Sequence, residues 1–174
     1  MKKIILKVKL KNREAFEDKL SDNDLDFSAI YWQHDRVYVP RGYRPGNNFP
    51  RLIMRTTMYA VDEAPEYTLI LRRHIEDSSI DIIEETPVAD YSATASIILQ
   101  LGFTPQKEVS RRRQTMDTEE GTIHLDQLDN GDAYAKVETE IKSTDSVTAI
   151  KSRLEANLVA LGETDFIARP YAEL

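Results

Sequence analysis

The sequence contains no cysteine, which excludes a disulfide scaffold, a thiolate metal site and a cysteine nucleophile together. Histidine is scarce as well. His34, His74 and His124 stand far apart and leave no HExxH-type pair for a histidine-rich zinc site. No uninterrupted apolar stretch approaches the roughly 20 residues that a bilayer span needs. The opening MKKIILKVKLK begins like a secretion signal, but it soon alternates with lysine and builds no long apolar region. These absences point to a soluble, cytoplasmic protein with no membrane partner. A basic surplus is also missing. Lys+Arg number 23 against 30 Asp+Glu, a formal net charge of -7, which argues against nucleic acid as a surface ligand.

What is present suits one domain over residues 1–174. The hydrophobic share of 41% is enough for a packed core and excludes wholesale disorder. The first run ends in strict alternation, which puts Lys7, Lys9 and Lys11 on one face of a strand and Val8 and Leu10 on the other. Asn12 suits the cap of a short helix over 13–20, with Phe16 and Leu20 four apart. Strands are expected at 28–39, 51–59, 67–74 and 80–86, with a Pro- and Gly-rich loop over 40–50. Asp90 caps a helix that Gly102 terminates. Three further strands are expected at 107–116, 122–128 and 133–141. A last helix over 144–161 carries Val147, Ile150, Leu154, Leu158 and Leu161 as an apolar stripe.

About eight strands and three helices result, in the order β-α-β-β-β-β-α-β-β-β-α. Consecutive strands favour antiparallel hairpins over a parallel βαβ sheet. The expected fold is α+β, a closed eight-stranded antiparallel barrel with its helices packed outside.

Basic residues recur on strand faces. Arg51 and Arg55 share one, Arg111 and Arg113 another, and Arg72 follows the apolar run 69–71. Each such face taken alone reads as the solvated side of an ordinary strand. Four or five of them in one acidic protein fit a polar lumen in which Arg and Lys converge on a polyanion. Carboxylates there would suit magnesium or manganese.

In this order the motifs resemble those of the CYTH superfamily, the triphosphate tunnel metalloenzymes, over essentially the full chain. The superfamily includes class IV adenylate cyclases, thiamine triphosphatases and inorganic triphosphatases. Its opening E-x-E-x-K strand corresponds to Lys7-Val8-Lys9-Leu10-Lys11, with the last lysine kept and both acids replaced. Gln33-His34-Asp35 with Tyr38 resembles its Q-x-D element, and Leu52-Ile53-Met54-Arg55 is similar to part of L-R-x-R. Arg72 stands for a strand-ending lysine and Glu84 for the acid of R-x-E. Arg111 and Arg113 match K-x-R, Leu125-Asp126-Gln127-Leu128 matches L-D-x-V/L, and Lys136 and Glu138 fall on the E-x-E of the last strand. The closing Arg169-Pro170-Tyr171 resembles R-S-Y.

The resemblance implies that Lys7, Lys9, Lys11, Arg55, Arg72, Arg111, Arg113 and Lys136 bind the triphosphate, with Lys11 as the candidate catalytic residue. It leaves Glu84, Asp126 and Glu138 to hold Mg2+ or Mn2+. Lys7, Lys9 and Lys136 replace three acids, so that metal site is expected to be weakened or absent. Unit charges about 4 Å apart interact by roughly 4 kcal/mol even at an effective dielectric near 20.

Two functional expectations follow. One is a phosphohydrolase or cyclase acting on inorganic triphosphate, a nucleoside triphosphate or thiamine triphosphate. The other is a non-catalytic polyphosphate- or nucleotide-binding protein in which lysine substitutes for metal. A third possibility keeps the fold alone, with Lys7, Lys9 and Lys136 paired structurally. The partner in the first two is a small anionic triphosphate ligand, and a homodimer is the default assembly.

Overall fold

Alternation in Lys2–Lys9 gives strand β1, whose Ile4, Leu6 and Val8 are buried on one face. In the computed structural model, α1 (Arg13–Ser21), β2 (Tyr31–Pro40), β3 (Arg51–Met58), β4 (Glu66–His74) and β5 (Ile80–Pro87) follow. Next come α2 (Tyr91–Gln100), β6 (Phe103–Thr118), β7 (Gly121–Leu128), β8 (Ala133–Glu140), α3 (Val147–Ala160) and a 3-10 turn at Tyr171–Glu173. The structure describes residues 1–21, 26–44, 49–75, 80–142, 144–168 and 170–174. Part of the loop expected over 40–50, and Arg169 of the closing motif, lie outside these residues.

The strands form a closed antiparallel barrel in the order β1-β5-β4-β3-β2-β6-β7-β8. The expected α+β barrel is therefore the observed one. No helix among the described residues is long and apolar enough to cross a membrane.

The chain divides into two compact units. The first comprises Met1, Tyr31–Ser110 and residues 170–174. Within it β2 pairs β3, β3 pairs β4 and β4 pairs β5, a meander of antiparallel neighbours. One face of this meander packs Tyr38 and Met54 against Ile98 of α2, with Leu52, Leu69, Val88, Tyr91 and Phe103 around them. Asp90 caps α2, its side chain accepting from Ala93 N at 2.9 Å. Trp32 is half exposed near the start of β2, and Tyr31 lies tilted against Tyr59 with ring centroids 5.3 Å apart.

The second unit comprises Lys2–Ile30 and Arg111–Ala168. There β6 pairs β7, β7 pairs β8 and β8 pairs β1. Its apolar face buries Ile4, Leu6, Val8, Met116, Leu125, Ala135 and Val137, and helices α1 and α3 bury Phe16, Leu20, Leu154 and Leu158. Ser146 caps α3, accepting from Ala149 N at 3.4 Å, so the helix starts three residues later than its periodicity suggests. Strand β6 starts four residues earlier than expected and runs through Pro105. Proline is tolerated there because that stretch is exposed and its missing N–H costs no buried bond.

Gly121 opens β7 at φ 137, a backbone region that favours glycine, and a Cβ there would stand 2.3 Å from the Glu138 carbonyl oxygen on β8. Gly121→Ala should therefore destabilise the fold by about 2 kcal/mol or more, through both backbone strain and the clash. Thermal unfolding of the variant reads this directly, and an unchanged midpoint would show that the hairpin relaxes freely.

Candidate functional site

Pleating sends the residues opposite the apolar faces into two charged surfaces, one on each unit. On the second unit the register aligns Thr115, His124, Lys136 and Lys7 in one cross-strand row over β6, β7, β8 and β1. The neighbouring row is Arg113, Asp126, Tyr134 and Lys9. Side chains two apart on a strand share a face, so Arg111, Glu138 and Lys3 belong to the same surface. Lys7 and Lys136 are register partners and each is only 8% exposed.

The centre of this surface is a buried bidentate pair. Arg113 donates from Nε to Asp126 Oδ1 at 2.5 Å and from Nη2 to Oδ2 at 2.6 Å. Arg111 Nε lies 3.8 Å from the same carboxylate. Burial alone would raise the Asp126 pKa, but the charge and hydrogen bonds of Arg113, with the charges of Arg111 and Lys136, hold it well below the usual carboxylate range. Glu138 behaves alike. Burial opposes ionisation, while Lys136, His124 and Lys3 outweigh it. Its carboxylate accepts from Lys136 Nζ, and from Lys3 Nζ at 3.0 Å.

Two basic groups respond in the opposite sense. Burial, reinforced by Arg113, pushes Lys136 down to about 7 despite its Glu138 partner. Burial and the charges of Arg113 and Lys136 push His124 down to about 2, so it is a neutral imidazole. His124 Nδ1 sits 3.1 Å from Thr115 Oγ1, and Nε2 lies 3.7 Å from Glu138 Oε1.

On the first unit the charges pair one to one. Arg55 donates to Asp35 from Nε at 2.7 Å and from Nη2 at 2.9 Å. Arg72 Nη2 donates to Asp81 Oδ2 at 2.7 Å, and Arg51 Nη1 to Glu173 Oε1 at 3.2 Å. Gln33, beside Asp35 in the Q-x-D element, is buried and reaches Thr57 Oγ1 at 3.4 Å.

Of the residues picked out from the sequence, Lys7, Arg111, Arg113, Asp126, Lys136 and Glu138 come together on the second unit. Arg55 and Arg72 share the charged face of the first. Lys9 turns to the edge of its unit and pairs with Asp132 at 2.7 Å. Lys11 falls beyond the end of β1 and is exposed, because the strand stops at Lys9. Glu84 is also displaced. It lies in the row of Leu52 and Leu71, on the opposite face from Asp81 and Ile83. Its side chain is 67% exposed and meets the Met1 amino group at 2.6 Å. Glu84 therefore lies off the charged face of its own unit.

Lys3, Asp81, His124, Arg51 and Glu173 were not among the candidate site residues. Parity with Lys7 would have flagged Lys3, parity with Ile83 would have flagged Asp81, and a two-residue offset from Asp126 would have flagged His124. Arg51 shares a face with Arg55 in the sequence, but nothing local announces Glu173 as its partner.

The donor set does not fit a divalent cation. Such an ion wants several free carboxylate oxygens. Here both oxygens of Asp126 accept from Arg113 and both of Glu138 face lysine. Among the described residues no three His, Asp or Glu side chains group so as to hold a metal.

The closed eight-stranded antiparallel barrel with its covering helices is consistent with the CYTH fold that the motifs led one to expect. Solved structures share it along nearly the whole chain. The PH1819 protein of Pyrococcus horikoshii superposes with a TM-score of 0.83 at 22% identity, covering 98% of this chain and 96% of its own. A candidate adenylate cyclase of Vibrio parahaemolyticus gives 0.80 at 18% identity, covering 98% and 95%. A candidate adenylyl cyclase of Hippeastrum with a dominant triphosphatase activity gives 0.59 at 15% identity, covering 93% and 88%. No family model matches the chain, and neither does any curated protein sequence.

Acid should unfold this protein from an unusually high pH. The native pKa of His124 lies below the free value, so the unfolded chain binds the extra proton. The His124 contribution to stability is fully present above about pH 6.5 and falls toward pH 2, by at most about 1.4 kcal/mol per pH unit. Asp126 and Glu138, also depressed, add their losses below about pH 4.5. Denaturant titrations at pH 7.5 and 5.0 should differ by about 2 kcal/mol, and His124→Gln should remove most of that difference. Equal slopes in both proteins would contradict a buried neutral imidazole.

Proposed function

We infer that this protein binds a triphosphate-containing anion directly through the cationic face of its second unit, without a bridging metal ion. The observation that carries the reading is the buried register pair Lys7 and Lys136, beside Arg111 and Arg113. The CYTH resemblance puts carboxylates at both lysine positions. In the buried part of this face Lys7, Arg111, Arg113 and Lys136 stand against Asp126 and the largely buried Glu138. Such a surplus attracts a polyanion and repels a divalent cation. Guanidinium forks suit phosphate oxygens in pairs, and ammonium groups add point charge where a metal would otherwise neutralise the phosphates. Triphosphate as the ligand class rests on the fold and on the CYTH motifs.

The same face keeps Asp126 and Glu138, the acids that a metal-dependent phosphohydrolase or cyclase would use. That is the second reading, and the adenylate cyclase and triphosphatase neighbours favour it. It requires the cation to pull both carboxylates away from Arg113 and Lys136.

Calorimetric titration with tripolyphosphate and with ATP, in chelator and in magnesium or manganese, separates the two readings. Direct binding should persist in chelator, with Kd unchanged or weakened by added metal through chelation of the ligand. Lys136→Gln and Arg111→Gln should each weaken it about tenfold or more, roughly 1.4 kcal/mol. A bound polyanion favours the ammonium form of Lys136, so binding should tighten as pH falls from 8 to 6, with proton uptake near pH 7. Phosphate release or cyclisation that chelator abolishes would overturn the metal-free reading in favour of the enzyme.

A further inference from the structure

The three arginines on the charged face of the first unit each meet a carboxylate, and the three carboxylates arrive by different routes. Asp35 is the register partner of Arg55 on the adjacent strand. Asp81 comes from β5, which is paired to the β4 strand of Arg72. Glu173 stands 122 positions from Arg51 in sequence and comes from outside the sheet. It is delivered by one 3-10 turn, with Glu173 N bonded to Pro170 O at 2.9 Å and Leu174 N to Tyr171 O at 3.2 Å.

Its carboxylate is nevertheless received as a bound anion would be. Arg51 Nη1 donates to Oε1, and the Tyr43 hydroxyl donates to the same oxygen. The Arg51 and Glu173 side chains are 8% and 9% exposed. A second guanidinium belongs to the same surroundings, since Arg72 is the register partner of Arg51. Burial and the like charge of Arg72 work against the Arg51 cation, while Tyr43, Glu173 and Asp81 favour it. The Arg51 guanidinium and the Tyr43 phenol are donors that suit phosphate oxygens as well as a carboxylate, and Arg72 beside them is already paired with Asp81.

We propose that Arg51 and Tyr43 form a second anion site, on the first unit, in which the Glu173 carboxylate is a tethered occupant that a phosphate-type anion displaces. The short turn that carries Glu173 then leaves with it. A carboxylate on such a tether competes at an effective concentration in the millimolar range. Removing its charge should make the site more available to a free anion. This inference does not need the triphosphate site of the second unit, because none of its residues belongs to that surface.

The test is a tripolyphosphate titration of the wild type, Glu173→Gln, Arg51→Gln and Arg111→Gln, and of Glu173→Gln combined with Arg111→Gln. Glu173→Gln should bind about tenfold more tightly than wild type. The combined variant should keep a binding event that adding Arg51→Gln to it abolishes. A folded Glu173→Gln protein that binds no better than wild type overturns the second site. If wild type binds, Arg111→Gln does not, and Glu173→Gln changes nothing, only the second site falls. If binding is indifferent to Arg111 but answers to Glu173 and Arg51, the second site stands and the triphosphate reading of the other unit falls. No binding by any variant overturns both. Nuclear magnetic resonance of the unmutated protein gives a readout independent of variant folding. Tripolyphosphate should shift the Glu173 and Leu174 amide signals, and a fixed, purely structural ion pair would leave them in place.

Discussion

The forked contact of Arg113 with Asp126 conditions everything else on the charged face of the second unit. Both groups are withdrawn from water, so each relies on the other, and removing either partner of such a pair typically costs about 3–5 kcal/mol. The fork fixes the carboxylate in its ionised form and uses both of its oxygens. It also brings positive charge beside His124 and Lys136, where burial has already made charge expensive. His124 responds by staying neutral, and Lys136 is left near the midpoint of its titration. Burial dominates both states, and the charge of the ion pair reinforces it.

The two charged surfaces solve the same desolvation problem differently. On the first unit each arginine has a dedicated acid, and the face is close to neutral. In the buried part of the second unit's face Lys7, Arg111, Arg113 and Lys136 share Asp126 and Glu138, and that local surplus is what an anionic ligand would balance. Position along the chain does not explain this difference, since both surfaces come from four strands paired as antiparallel neighbours. Composition at a few register positions does.

Much of this was legible in the sequence because the rule for a strand is simple. Alternation separated Lys7 from Val8, and Arg111 and Arg113 from Arg112, and Asp90 and Gly102 bracketed α2. The errors arose where parity or strand length gave way to motif matching. Glu84 fitted a family spacing but lies in the row of Leu52 and Leu71. Lys11 fitted the family's final lysine, but its strand ends two residues earlier. Glu173 could not have been placed at all. Its partner is fixed by chain closure over more than a hundred residues, and neither periodicity nor capping chemistry carries that information.

The facing of Lys7 and Lys136 has a consequence for how such a surface changes over time. Because the two residues sit directly across from each other on neighbouring strands, replacing either lysine with glutamate creates an opposite-charge cross-strand pair, a favourable arrangement. A surface that recruits polyanions directly is thus two substitutions from one that carries paired acids, and the Lys7→Glu intermediate gains an opposite-charge pair with Lys136 while leaving the Lys136–Glu138 contact in place. The residues on the other side of the same strands, Leu6, Val8, Ala135 and Val137, need not move. The barrel can pass between ligand chemistries along a path on which its packed core is a constant.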